Sequence, residues 1–246
     1  MWLPFSKKQK KTAPPLNFSF LNADMHAHFL PGLDDGAPDL ETSLILIDHL
    51  RQLGYRKLIA SPHISMEFYP NTPEKINAAL KLVQEAVEEK CWDIQLEAAA
   101  EYMIDDRFLQ MLGEANPLLS FGGNKVLIEM GYVYEHPMLK EAIFQLQAQG
   151  YQPVLAHPER YHFYHHHPEK IERLLETGCQ LQLNILALTT HYGEPAKKLA
   201  EMLLNKSYYT LAGTDLHHSR HAHLLASLSQ AQYQLLQSRS YVNVNL

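Results

Sequence analysis

The stretch Asn22-Ala23-Asp24-Met25-His26-Ala27-His28 has the length of a β-strand and closes on two histidines separated by one residue. Along an extended strand, side chains alternate between faces, so His26 and His28 point the same way, as a chelating pair must. Taken alone the pair decides little, because a histidine at a strand end is usually satisfied by ordinary hydrogen bonds. The fold is decided by recurrence: an apolar run followed by a metal-competent side chain appears again and again along the chain.

Working outward, strands are expected over Asn22–His26, Lys57–Ser61, Asp93–Ala100, Lys125–Met130, Pro153–Ala156, Gln180–Asn184 and Tyr208–Gly213. Between them lie stretches of helical period. Pro38–Leu53 carries Asp39 and Glu41 at its start, Leu44, Ile47 and Leu50 at helical spacing, and Gly54 as a stop. A second helix starts at Thr72-Pro73, where threonine caps and proline suits the first turn, and continues through Ile76, Leu80, Val83 and Val87. Further helices are expected over Pro137–Gln149, Pro168–Thr177, Pro195–Asn205 and His221–Gln237. Strands alternating with helices imply parallel βαβ units. The fold class is therefore α/β, a distorted (β/α)7 TIM-like barrel, with an open doubly wound sheet as the rival.

In both folds ligands gather at the carboxyl ends of the strands. Those ends here carry His26 and His28, His63, Glu101, Glu129, His157 with Arg160, and Asp215 with His217; the Gln180–Asn184 strand offers only Asn184. Five imidazoles and three carboxylates converging on one barrel mouth would repel and be poorly solvated without cations among them. A multinuclear metal site follows.

Composition narrows the partners. The 246 residues are 46% hydrophobic and 20% charged, ordinary for a folded globular protein. A formal charge of −6 would repel a phosphate backbone, so no nucleic-acid partner is expected. Cys91 and Cys179 are too few for a disulfide framework and point to a reducing compartment. No apolar run approaches the ~20 residues of a membrane span. At the N-terminus the charges of Lys7, Lys8, Lys10 and Lys11 follow the apolar residues, the reverse of an export signal. The expectation is a cytoplasmic protein with a flexible basic extension over 1–19 and one catalytic domain over 20–246.

The motifs Asp24-Met25-His26-Ala27-His28, Leu33-Asp34-Asp35-Gly36, Ser61-Pro62-His63, Glu101, Leu127-Ile128-Glu129, Ala156-His157-Pro158-Glu159-Arg160-Tyr161 and Thr214-Asp215-Leu216-His217 together resemble the PHP (polymerase and histidinol phosphatase) superfamily. Within it the chain is most similar to the bacterial manganese-dependent protein-tyrosine phosphatases of capsular and exopolysaccharide operons. The resemblance implies a PHP fold and three metal ions. One would be held by His26, His28, Glu101 and Asp215, a second by Glu101, Glu129, His63 and His157, and a third near Asp35 and His217. Manganese comes from the resemblance; the donors alone allow iron or zinc. It also implies a phosphotyrosine protein as substrate, an autophosphorylated bacterial tyrosine kinase of polysaccharide export.

The corresponding mechanism has a metal-bridging hydroxide attacking phosphorus while Arg160 and Arg220 neutralise the developing charge, with Asp35, or a water or histidine beside it, assisting the leaving group. Rival readings are a small-molecule phosphatase acting on histidinol phosphate or a nucleotide, a metal-dependent amidohydrolase and a non-catalytic metal-binding scaffold. A cysteine-based phosphatase is excluded: six positions after the cysteines stand Glu97 and Ile185, not arginine. Tyr161–His167 reads as a loop rimming the site. Phe68, Tyr69, Tyr132 and Tyr134 are either loop packing or an aromatic clamp.

Overall fold

A computed structural model of the protein describes residues 16–246. Most of the expected 1–19 extension lies outside the described residues. Phe18 lies inside them and is fully buried. In chain order come β1 (Ala23–Ala27), α1 (Leu40–Gln52), β2 (Lys57–Ala60), β3 (His63–Ile64), α2 (Pro73–Glu89), β4 (Gln95–Ala98), β5 (Glu101–Met103), α3 (Asp106–Gly113) and β6 (Lys125–Glu129). There follow α4 (Leu139–Ala148), β7 (Gln152–Ala156), α5 (His162–His166), α6 (Glu169–Glu176), β8 (Gln180–Asn184), α7 (Gly193–Asn205), β9 (Leu211–Gly213), α8 (Ser219–Leu225) and α9 (Gln230–Gln237).

All strand pairs are parallel, in two sheets ordered β1-β2-β4 and β3-β5-β6-β7-β8-β9. The sheets are one barrel interrupted twice. Pro62 has no N–H to offer, so the ladder breaks between β2 and β3, and it breaks again at Ala99-Ala100 between β4 and β5. Two hydrogen bonds bridge the gap, Ala99 N to Ala60 O (2.7 Å) and Glu101 N to Pro62 O (3.1 Å). Counting each interrupted pair as one stave gives the seven expected from the sequence. On the other side, Asp215 N donates to His26 O (2.7 Å) and His28 N to Leu216 O (2.9 Å), which ties β1 to the chain leaving β9.

Lower down, that seam is held by a side chain. Buried Asn243 donates through Nδ2 to Ala23 O (2.9 Å) and Ala212 O (2.7 Å), and its Oδ1 accepts from Ala212 N (3.0 Å). One carboxamide thus satisfies backbone groups that β1 and β9 would otherwise leave unpaired. Asn243→Ala should lower stability by about 3 kcal/mol, since each orphaned buried group costs ~1–3 kcal/mol. Urea denaturation is the measurement; a loss under about 1 kcal/mol would show that the seam closes without it.

Met25, Ile59, Leu127, Val154, Ala156 and Leu211 pack together in an inner cluster, and a larger one lies between strands and helices. Between Asp24 and Ala27, β1 carries one residue more than β2 opposite it. Such a bulge re-aims side chains. Met25 joins the inner cluster while His26 and His28 both reach the barrel mouth.

Helix α2 begins as expected, with the Thr72 side chain accepting from Lys75 N and Pro73 in the first turn. Helix α1 starts two residues later than expected, because Asp39 accepts from Thr42 N and so occupies the cap position. The expected single helix over His221–Gln237 is two: a Ser229/Gln232 capping box starts α9 afresh. Helices α3 and α5 were not expected.

Candidate metal centre

Glu101, at the start of β5, is the hub. Its Oε2 lies 3.1 Å from His26 Nε2, 3.2 Å from His63 Nδ1 and 3.6 Å from His28 Nε2, and its Oε1 lies 3.1 Å from His157 Nε2. Glu129, from the end of β6, approaches His63 Nδ1 to 2.8 Å. Asp215 Oδ1 lies 3.3 Å from both His26 Nε2 and His28 Nε2, and 3.4 Å from His217 Nδ1. The structure therefore brings together all eight side chains expected as ligands. Four overlapping triads have donor atoms within 4.8 Å of one another: His26/His28/Glu101, His26/His157/Asp215, His63/Glu101/Glu129 and His28/His63/His217. His157 thus lies beside Asp215 as well as Glu101.

The backbone is bent to achieve this. His157 (φ 34°) and Asp215 (φ 51°) both adopt the left-handed region, which costs a non-glycine residue ~1–3 kcal/mol and is typical of functional sites. Gly36 is required by close approach, because a Cβ there would stand 2.1 Å from His28 O. Gly213 likewise leaves room for His26, whose Cβ would lie 2.6 Å away from an added methyl.

Burial opposes a charged His26, yet the Glu101 and Asp215 carboxylates overcome it and lift the imidazole to about 9. His63, despite burial, is lifted to about 11 by Glu129 and Glu101. Glu101 and Asp215 resist their own burial and stay well below the usual carboxylate range because imidazoles surround them. Burial and Arg160 push His157 the other way, towards its neutral form. The pocket thus strongly couples negative oxygen donors to whatever positive charge is present.

The donor set fits metal ions on geometric grounds. Asp215 Oδ1, His63 Nδ1 and His157 Nδ1 are buried yet make no hydrogen bond. Two of the three nonetheless stand at contact distance from other donors. Donor atoms that crowd without pairing are arranged as ligands around a common point. Mixed imidazole and carboxylate donors do not select among manganese, iron and zinc.

Several residues that sequence reasoning left without a role orient these donors. Asp34 accepts from His28 Nδ1 (2.7 Å) and from His63 N (3.1 Å), and its carboxyl, though buried, is held low by His28. Gln182 Oε1 lies 3.0 Å from His26 Nδ1 and accepts from His157 N (3.2 Å). Such contacts fix the ring orientation of a ligating histidine. The Asp34-Asp35 pair was visible as a motif; Gln182 gave no signal beyond sitting in a strand.

Arg160 Nη1 donates to Asp215 Oδ2 (2.6 Å), and its guanidinium lies over Tyr132 (4.7 Å) and Tyr192 (4.4 Å). It lines, with Asp35, His63, Glu129, Tyr132 and His217, a cleft of about 240 Å3. Asp35 is half exposed, 3.5 Å from His217 Nε2 and 3.6 Å from His63 Nε2. The His217 imidazole beside it holds its carboxyl below the usual carboxylate range. Arg220, expected beside Arg160, lies exposed on α8 with no ion-pair partner among the described residues, and is not among the residues lining the cleft. The histidines expected to form a rim loop build α5 instead, where His165 bonds Glu159 O (2.8 Å).

The family model described as "Capsular polysaccharide synthesis, CpsB/CapC" matches residues 22–238. The chain belongs to the CpsB/CapC family. Among the relatives of this CpsB/CapC protein, tyrosine-protein phosphatase YwqE of Bacillus subtilis is 28% identical over 195 residues, 79% of this chain and 76% of YwqE. Tyrosine-protein phosphatase CpsB of Streptococcus pneumoniae is 24% identical over 200 residues, 79% of this chain and 82% of CpsB. Among solved structures, a chain from the work on YwqE and CpsB, described as unique metal-dependent tyrosine phosphatases, matches with TM-score 0.73 and 25% identity, over 89% of this chain and 96% of that one. The lactonase Lmo2620 of Listeria monocytogenes matches with TM-score 0.53 at 12% identity, over 91% of this chain and 93% of that one, a likeness of fold alone.

Proposed function

We propose that this CpsB/CapC protein is a metal-dependent protein-tyrosine phosphatase. The observation that carries the reading is the convergence of five imidazoles and three carboxylates, with Glu101 as their hub, and with Arg160 at the edge of an open cleft. The named activity of YwqE and CpsB supports it. His26, His28, His63, Glu101, Glu129, His157, Asp215 and His217 are assigned to hold divalent cations, manganese by family resemblance and in three positions. Bound there, such ions supply Lewis acidity to the phosphoryl oxygens and a source of hydroxide at neutral pH.

The protein's own groups do the rest. Arg160 offers a guanidinium to the equatorial oxygens, where charge must be neutralised as the phosphoryl group transfers. Tyr132 and Tyr192 hold that guanidinium flat, and Asp215 anchors one end of it. The departing phenolate has a pKa near ~10 and needs little acid assistance. Asp35 is accordingly assigned to hold charge beside His63 and His217 rather than to donate a proton. Arg220 is assigned to the mouth of the site, where it meets the phosphoprotein. The physiological substrate in this reading is an autophosphorylated tyrosine kinase of polysaccharide export, met in the cytoplasm, where the free cysteines Cys91 and Cys179 suit a reducing compartment.

Phosphate release from a phosphotyrosyl peptide, measured with Mn2+ and again after exhaustive chelation, tests the reading. Turnover lost on chelation and restored by metal supports it. Turnover that survives chelation refutes it, and a strong preference for histidinol phosphate would reassign the substrate. Cys179 is buried in the core, and burial pushes its thiol up to about 12, so it cannot serve as a thiolate nucleophile. Cys179→Ser should therefore leave kcat unchanged, with any loss confined to thermal stability; an inactive, folded Ser variant would contradict the metal-based reading.

A further inference from the structure

Charged and ionisable groups, His63, Glu129, Arg160 and His217 with half-exposed Asp35, make up one part of the cleft lining, its floor; Phe68, Tyr69, Met103 and Tyr132, with Ser65 among them, make up the walls. A volume of about 240 Å3 lies below the ~300–1,000 Å3 of common ligand pockets, so the cleft suits one phosphorylated side chain rather than a peptide. Phe68 sits on a short hairpin closed by Ser65 N to Tyr69 O (2.9 Å) and Tyr69 N to Ser65 O (3.2 Å). Met66 N, on the same hairpin, donates to Asp105 Oδ2 (2.8 Å), which pins the tip against the start of α3.

The other aromatic walls are already engaged. Tyr69 stacks on His63 with ring centroids 5.4 Å apart, and Tyr132 lies under the Arg160 guanidinium. Phe68 is 67% exposed, with no aromatic neighbour among the described residues. A phenylalanine left open to water on a fixed hairpin, beside a cleft with a phosphate-competent floor, has the geometry of an unmet ring contact.

Resting on the phosphatase reading above, we infer that Phe68 is a specificity-determining residue, the wall that meets the ring of a phosphorylated tyrosine whose phosphate lies on the floor. An alkyl phosphate such as phosphoserine is shorter, has no ring and leaves this wall untouched. Selection of aryl over alkyl phosphates therefore arises partly from Phe68, and partly from the better leaving group.

The test compares wild type, Phe68→Ala and Phe68→Trp, each loaded with Mn2+. Binding of benzylphosphonate and of methylphosphonate is measured by calorimetry, and kcat and KM are measured for an aryl phosphate. Phe68→Ala should weaken benzylphosphonate about tenfold and methylphosphonate less than about twofold, raise KM for the aryl substrate and spare kcat; Phe68→Trp should restore both. Equal weakening of the two phosphonates, or none, overturns the assignment. If wild type turns over no aryl phosphate at all, the phosphatase reading fails, while the phosphonate comparison still decides whether Phe68 recognises a ring.

Discussion

Replacing Glu101 with glutamine is expected to lower turnover of a phosphotyrosyl peptide by at least about a thousandfold while the barrel stays folded. Glu101 is completely buried, and its two oxygens between them reach four imidazoles, those of His26, His28, His63 and His157. No other carboxylate here touches so many. Glutamine keeps the shape but removes the charge, and it puts an NH2 where one oxygen had faced ligand nitrogens. A cation sharing that side chain then loses both a bond and the negative charge that offsets its desolvation. Several kcal/mol of transition-state stabilisation depend on the ions, which sets the thousandfold scale. Elemental analysis of the purified variant should show reduced metal, and its circular dichroism should match wild type. Turnover within tenfold of wild type at saturating metal would remove Glu101 from the centre of the site.

The same residue shows why the ligands are legible in the sequence. Each stands immediately beyond an apolar run, and a parallel barrel collects strand ends at one mouth whatever the order of its strands. His63 and Glu101 are the informative cases. They seemed to follow single long strands, but the ladder breaks before each of them, and β3 and β5 resume for only two and three residues. The breaks let these side chains turn inward, and only Pro62 hinted at one of them.

Contacts between distant segments were not legible. Nothing near Asn243 in sequence says that its amide will join β1 to β9, and Gln182 shows only when His26 and His157 are seen on either side of it. Arg220 is close to His217 in sequence, yet on α8 it stands exposed and outside the lining of the cleft, which the local sequence does not tell. By contrast, the Ser229/Gln232 capping box was readable and should have split the last helix. Of Asp34 and Asp35, nothing in their neighbours along the chain tells which is buried against His28 and which faces the cleft.

Arg160→Lys should lower kcat by about a hundredfold with little change in metal content. Lysine keeps the positive charge, so any loss measures geometry. The guanidinium lies over both Tyr132 and Tyr192 while Nη1 holds Asp215 at 2.6 Å, an arrangement a point-like ammonium cannot reproduce. A planar fork can anchor at one end and still present N–H groups to two phosphoryl oxygens; an ammonium that keeps the Asp215 contact has no second arm to offer. Removing one preorganised donor of this kind typically costs ~100- to 1,000-fold in kcat, and retention of charge puts lysine at the lower end. The competing role is structural: Arg160 could matter only because it fixes Asp215 among His26, His28 and His217. Metal content separates the two. A slow variant with full metal locates Arg160 on the substrate, whereas a slow variant that has lost metal locates it behind Asp215. Wild-type kcat in the lysine variant would exclude both, and phosphate binding would then have to be rebuilt from the ions and the cleft alone.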